Sequence, residues 1–66
     1  MRITVNGEQR EVDEGALVST LLASLALPST RVAVEVNAVL VRRAQHPTHQ
    51  LLEGDAVEIV TLVGGG

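Results

Sequence analysis

Three consecutive glycines, Gly64-Gly65-Gly66, close the sequence directly behind an apolar run. Glycine loses more conformational freedom on ordering than any other residue, so a glycine triplet cannot help to hold a fold. It can do something else. A tail without Cβ atoms threads a narrow channel, and three extended residues reach ~10 Å. The carboxylate of Gly66 is then the group delivered. A carboxylate is a poor electrophile because its charge repels nucleophiles. It reacts once activated, typically as an acyl-adenylate made with ATP, from which a nucleophile displaces AMP. Nothing in the chain can perform that activation, so it must come from a partner enzyme. The competing reading is a frayed terminus or a cloning remnant; the serine or tag residues that usually mark a remnant are missing here.

Other side chains able to do chemistry are few. There is no Cys, which removes thiolate nucleophiles, thiolate metal ligands and disulfides. His46 and His49 are three apart and can share a helical face, but a zinc site wants more ligands. Beside Pro47 they read as solvated loop residues. Asp13-Glu14 and Glu53/Asp55 are carboxylate pairs, yet both flank a glycine and turn chemistry explains them. General acid–base work would need a pocket that separates their pKa values. Ser19 has no His in a plausible motif and reads as helix surface. Arg42-Arg43 is the one adjacent basic pair and can meet acidic residues of a partner, or simply be solvated.

The elements that must position the tail are legible from periodicity. Ile3 and Val5 alternate with Arg2 and Thr4, a half-buried strand. Asn6-Gly7 tolerates positive φ at both residues and predicts a tight hairpin. Glu8 to Val12 is the polar return strand, near a sheet edge, broken by Asp13-Glu14-Gly15. Val18, Leu21, Leu22 and Leu25 then fall on one helical stripe, which predicts a helix near residues 17 to 26. Pro28 stops it by biasing Leu27 away from helical angles. Val32, Val34 and Val36 give a third strand from Arg31 to Val36. Asn37-Ala38 is a turn, and Val39-Leu40-Val41 a short apolar strand. Residues 42 to 50 form a loop with a short helical turn, and Glu53-Gly54-Asp55 is a second turn.

The final strand runs from Ala56 to Val63. Val57, Ile59, Thr61 and Val63 face one way; Ala56, Glu58, Val60 and Leu62 face the other. A strand apolar on both faces is central in its sheet or covers a partner site. One helix covers only one face of a sheet. Val60 and Leu62 are therefore candidates for an apolar docking patch beside the tail. The whole reads as an α+β sandwich of one sheet and one helix, with the first and last strands side by side.

Length and composition set the frame. The chain has 66 residues, one domain at most, with an almost wholly aliphatic core and no Phe, Trp or Tyr. Such a domain buries only about 60% of its unfolded surface, leaving little room for a deep pocket. The charge is −3, from eight acidic and five basic residues, all of the latter Arg. Without a basic patch or aromatic platforms, nucleic-acid binding is not expected. No stretch approaches the ~20 apolar residues of a membrane span, and Met1 to Val5 lacks a signal-peptide core. A cytoplasmic protein, monomeric when free, is the expectation, and its acidic surface suits a basic partner.

In order along the chain, Ile3-Thr4-Val5-Asn6-Gly7, the helix pattern Val18-x-x-Leu21-Leu22, Val34-Glu35-Val36-Asn37, Val41-x-Arg43 and Glu53-Gly54-Asp55-x-Val57-Glu58-Ile59-Val60, running into Val63-Gly64-Gly65-Gly66, resemble the ThiS family of sulfur carriers. The resemblance spans all 66 positions. It implies a ubiquitin-like β-grasp fold: a mixed sheet of four to five strands over residues 1–63, covered on one face by a single main helix, then a flexible tail at 64–66. It implies that a ThiF-like adenylyltransferase, using ATP and Mg²⁺, adenylates Gly66. Sulfur from a cysteine desulfurase relay then makes a thiocarboxylate, which donates to the thiazole synthase ThiG. Gly64 and Gly65 would lie in the partner's channel, with Val60, Leu62 and Arg43 docking. The carrier itself would bind no cofactor and catalyse nothing.

The chain departs from the family pattern at three points. Leu17 stands where a helix-capping Thr is frequent, so a less well capped helix start is expected. Arg42 replaces a frequent Pro, and His46 stands where an aromatic residue is common. Other classes remain: a MoaD-like carrier of molybdopterin synthesis, whose chains are usually longer; a β-grasp carrier for cysteine or thioquinolobactin-like pathways; a ubiquitin-like modifier forming isopeptides; or a toxin–antitoxin or structural module with an idle tail.

Overall fold

Where the two Asn-led turns fall decides the topology. Asn6 and Gly7 take φ of 51° and 85°, and Asn37 and Ala38 take 52° and 68°. Both pairs have the two positive φ values of the type I′ turn, whose twist matches paired antiparallel strands. They close two hairpins: β1 (Arg2–Val5) with β2 (Glu8–Glu11), and β3 (Val32–Val36) with β4 (Val39–Val41). Between the hairpins lies α1 (Val18–Ser24), and the last element is β5 (Ala56–Thr61). The computed structural model describes residues 1–62. Val63, Gly64, Gly65 and Gly66 lie outside the described residues, and so does the expected boundary between body and tail.

The sheet has five strands in the order β2-β1-β5-β3-β4. β5 is the central strand, parallel to β1 and antiparallel to β3. Its inward residues Val57 and Ile59 join Ile3, Val32, Val34, Val36 and Val41 beneath Val18, Leu21 and Leu22 of the helix. Leu51, from the long loop, closes the cluster. This mixed sheet with one covering helix is the ubiquitin-like β-grasp architecture.

Two expectations about the helix need correction. It ends earlier than Pro28 requires, at Ser24. Ala26 adopts φ 57°, the Leu27 N–H reaches the Leu22 carbonyl at 2.9 Å and the Ala26 N–H reaches Ala23 at 3.1 Å. This is a Schellman-type stop with alanine where glycine is usual; Pro28 instead precedes a 3₁₀ turn, Ser29–Arg31, so β3 starts at Val32. The helix start is also better satisfied than Leu17 suggests. The Val18 N–H donates to the His49 carbonyl and the Ser19 N–H to the His46 carbonyl, each at 2.9 Å, while Thr20 Oγ1 accepts from the Leu17 N–H at 3.3 Å. Backbone from the 46–49 loop takes the place of a capping side chain.

Candidate functional site

The route to the glycine tail runs along β5, and both hairpin turns hold that strand. Asn6 Oδ1 accepts from the Ile59 N–H at 2.7 Å and Asn6 Nδ2 donates to the Ile59 carbonyl at 3.1 Å. The side chain thus continues the β1–β5 ladder beyond the end of β1. From the other flank, Asn37 Oδ1 accepts from the Ala56 N–H and Asn37 Nδ2 donates to Asp55 Oδ1, both at 2.9 Å. Each asparagine therefore does two things: it tolerates the left-handed turn and it clamps the central strand. The last described link is the Leu62 N–H to the Arg31 carbonyl, 2.7 Å. The chain is held to the sheet up to that residue.

The helix leaves the opposite face of the sheet open. On it β5 presents Ala56, Glu58 and Val60, all exposed, with Leu62 next along the chain. Val60 is 61% and Leu62 52% exposed. β3 pairs Ala33 with Val60 and Glu35 with Glu58, and β4 sets Leu40, also exposed, opposite Glu35. The apolar surface expected at Val60 and Leu62 is thus real, and Ala33 and Leu40 extend it. Arg43 is exposed in the 3₁₀ turn Arg43–Gln45, just past β4. It shares the sheet end with Leu62 but stands beyond the edge strand, so the structure does not join it to that patch. Gly64, Gly65 and Gly66 lie outside the described residues.

His46 is not a solvated loop residue. It is 1% exposed. Its Nε2 sits 3.1 Å from the Val41 carbonyl, which can only accept, so Nε2 carries a proton; Nδ1 lies 3.0 Å from Ser29 Oγ, within hydrogen-bond reach. The ring ties β4, the 3₁₀ turn and the loop that caps α1. Its signal in the sequence is the position itself, where the family resemblance places a bulky ring. His49 is half-buried and serves through its carbonyl. Asp55 is turn chemistry, as expected, its Oδ2 accepting from the Leu52 N–H at 2.8 Å; Glu53 instead ties the turn to β1, its Oε1 accepting from the Arg2 N–H at 2.9 Å. Among the described residues no three His, Cys, Asp or Glu side chains gather where a metal ion could sit. No helix there is long and apolar enough to cross a membrane.

The described body matches known proteins throughout. The crystal structure of the thiamine biosynthesis protein ThiS from Geobacter metallireducens superposes with a TM-score of 0.84 at 36% identity, covering 100% of both chains. A thiazole synthase of Paramagnetospirillum magneticum is 36% identical over 66 residues, which is 100% of this chain but 20% of that protein. The uncharacterized protein ycf40 of Porphyra purpurea is 40% identical over 65 residues, covering 97% of this chain and 90% of its own length. The model of the ThiS family matches residues 3–66, from β1 through the glycine triplet, and the chain belongs to that family.

Proposed function

We propose that this chain carries sulfur for the thiazole of thiamin, with the Gly66 carboxylate as the carrying group. Membership of the ThiS family across residues 3–66, glycines included, is the observation that supports it most directly. The chemistry divides cleanly. A ThiF-like adenylyltransferase, with ATP and Mg²⁺, couples AMP to the carboxylate and releases pyrophosphate. A persulfide of a cysteine desulfurase relay attacks the acyl-adenylate and displaces AMP, and a relay thiol then cleaves the resulting acyl disulfide, leaving the thiocarboxylate and a disulfide on the relay. Thiazole synthase, ThiG, then takes the sulfur. In this reading the body supplies no acid, base or nucleophile. It is a handle in which β5 is clamped on both flanks, and Val60 and Leu62 are the exposed apolar residues on the open face that come last before the glycines in the described sequence. The match to a thiazole synthase favours the thiazole pathway over molybdopterin synthesis.

The test is direct. The protein is incubated with a ThiF-like adenylyltransferase, ATP, Mg²⁺ and a sulfur donor, and its intact mass is measured. Replacement of one oxygen by sulfur at Gly66 is the expected result. Adducts on lysines of other proteins would instead mark a modifier, and an unchanged mass with an active enzyme would refute both. Removal of Gly65-Gly66 is expected to abolish the mass gain with little change in thermal stability.

A further inference from the structure

Glu35 and Glu58 stand directly opposite each other at the middle of the open face, on the two best-paired strands of the sheet. Directly opposed side chains have Cβ atoms about 4.5–5.5 Å apart, and like charges there oppose folding. Both residues are exposed, and neither joins an ion pair among the described residues. Glu35 has Leu40 on its other side, and the next pair towards the tail is Ala33 with Val60. Beyond that, Leu62 lies beside Arg31, whose carbonyl it engages. The face therefore reads, towards the tail, as an acidic row, an apolar row and Leu62. Successive rows on one face are about 6.8 Å apart.

A short chain without a disulfide has little stability to spare. A cross-strand repulsion at its centre is explicable if a cation meets it. We propose that the Glu35–Glu58 pair is a specificity element for the adenylating partner, which covers Val60 and Leu62 with an apolar surface and places an Arg or Lys against the two carboxylates. This rests on the sulfur-carrier reading above. The adenylating enzyme is the fitting occupant because it meets the tail while that is still bare glycine. Glycines carry no side chain to recognise, so selection must come from the body. The sulfur acceptor, by contrast, can recognise the thiocarboxylate itself. A second copy of this chain does not fit, since face-to-face packing would bring four carboxylates together.

The experiment compares the unaltered protein with Glu35→Gln, Glu58→Gln and the double variant. Each is melted, titrated against a ThiF-like adenylyltransferase and against a thiazole synthase at low and moderate salt, and assayed for the sulfur mass gain. The Gln variants are expected to melt about 2–5 °C higher. The double variant is expected to bind the adenylyltransferase about three- to tenfold more weakly at low salt, mainly through slower association, and to lose most of the salt dependence. Equal affinity and equal salt response would overturn the proposal, as would a loss confined to the thiazole synthase. Concentration-dependent self-association that the double variant alters would also overturn it. Binding without any mass gain in the unaltered protein would refute the sulfur reading, while the salt and affinity comparison would still decide the role of the pair.

Discussion

Substituting Asn6 separates what the clamp on β5 contributes from what the turn contributes. Asn6→Ala removes both side-chain bonds to Ile59, at 2.7 and 3.1 Å. Two part-buried bonds of this kind contribute about 1–2 kcal/mol together. Alanine must also hold φ near 51°, where Cβ crowding costs about 1–2 kcal/mol. The expected loss is about 2–4 kcal/mol. A 66-residue domain holds about 3–10 kcal/mol in all, so this is a large fraction. At about 4–8 °C per kcal/mol, the midpoint of thermal unfolding should fall by about 8–32 °C. Asn6→Gly removes the same bonds but tolerates the angle, and should fall roughly half as far. Circular dichroism melts and urea titrations give both numbers, with unchanged m-values showing that the denatured state is not the cause. Below the melting range, both variants should still gain sulfur at saturating enzyme, because the clamp supports the handle and not the reaction. If both variants melted within about 3 °C of the parent, the clamp would be idle. If Gly fell as far as Ala, the left-handed angle would carry no strain.

Three further outcomes follow from the same structure. His46→Ala opens a cavity and strands the Val41 carbonyl and the Ser29 hydroxyl, and urea unfolding should show a loss of about 2–4 kcal/mol; His46→Phe, which fills the space, should lose less. Ala26→Gly relieves the φ of 57° at the helix stop and should raise stability by about 0.5–1 kcal/mol in the same assay. Val57→Ala, at a fully buried position, should lose about 1–3 kcal/mol, whereas Val60→Ala, 61% exposed, should stay within about 0.5 kcal/mol yet weaken adenylyltransferase binding in a titration.

Periodicity made the scaffold readable because it reports burial directly. Ile3, Val32, Val34, Val36, Val57 and Ile59 alternate in sequence and all face the helix in the fold. The stripe at Val18, Leu21 and Leu22 did the same for α1. Asn6-Gly7 announced its turn through φ tolerance alone. Composition could not show what a side chain does once its turn has formed. The hydrogen bonds from Asn6 to Ile59 span 53 positions, and those from Asn37 to Asp55 span 18. No local pattern encodes such partners. The burial of His46 is hidden in the sequence for a related reason. Its local neighbours Pro47 and Thr48 are exposed, and burial comes from β4 and the Ser29 turn folding over it. The Glu35–Glu58 opposition depends on strand register, which follows only once β3 and β5 are paired.

The alternation along β5 also lets one strand serve the core and the open surface at once. Its inward positions, Val57 and Ile59, are core; its outward positions, Glu58 and Val60, with Leu62 beyond them, are surface. The period of two keeps these sets apart although they interleave in sequence. A one-residue slip would exchange them, exposing the core and burying Glu58. Register is therefore the quantity that the fold must protect. The two asparagine clamps act at Ala56 and Ile59, close to opposite ends of the strand, where they oppose such a slip. Pinning β5 in register fixes in one step which residues support the domain and which stand on the open face of the sheet.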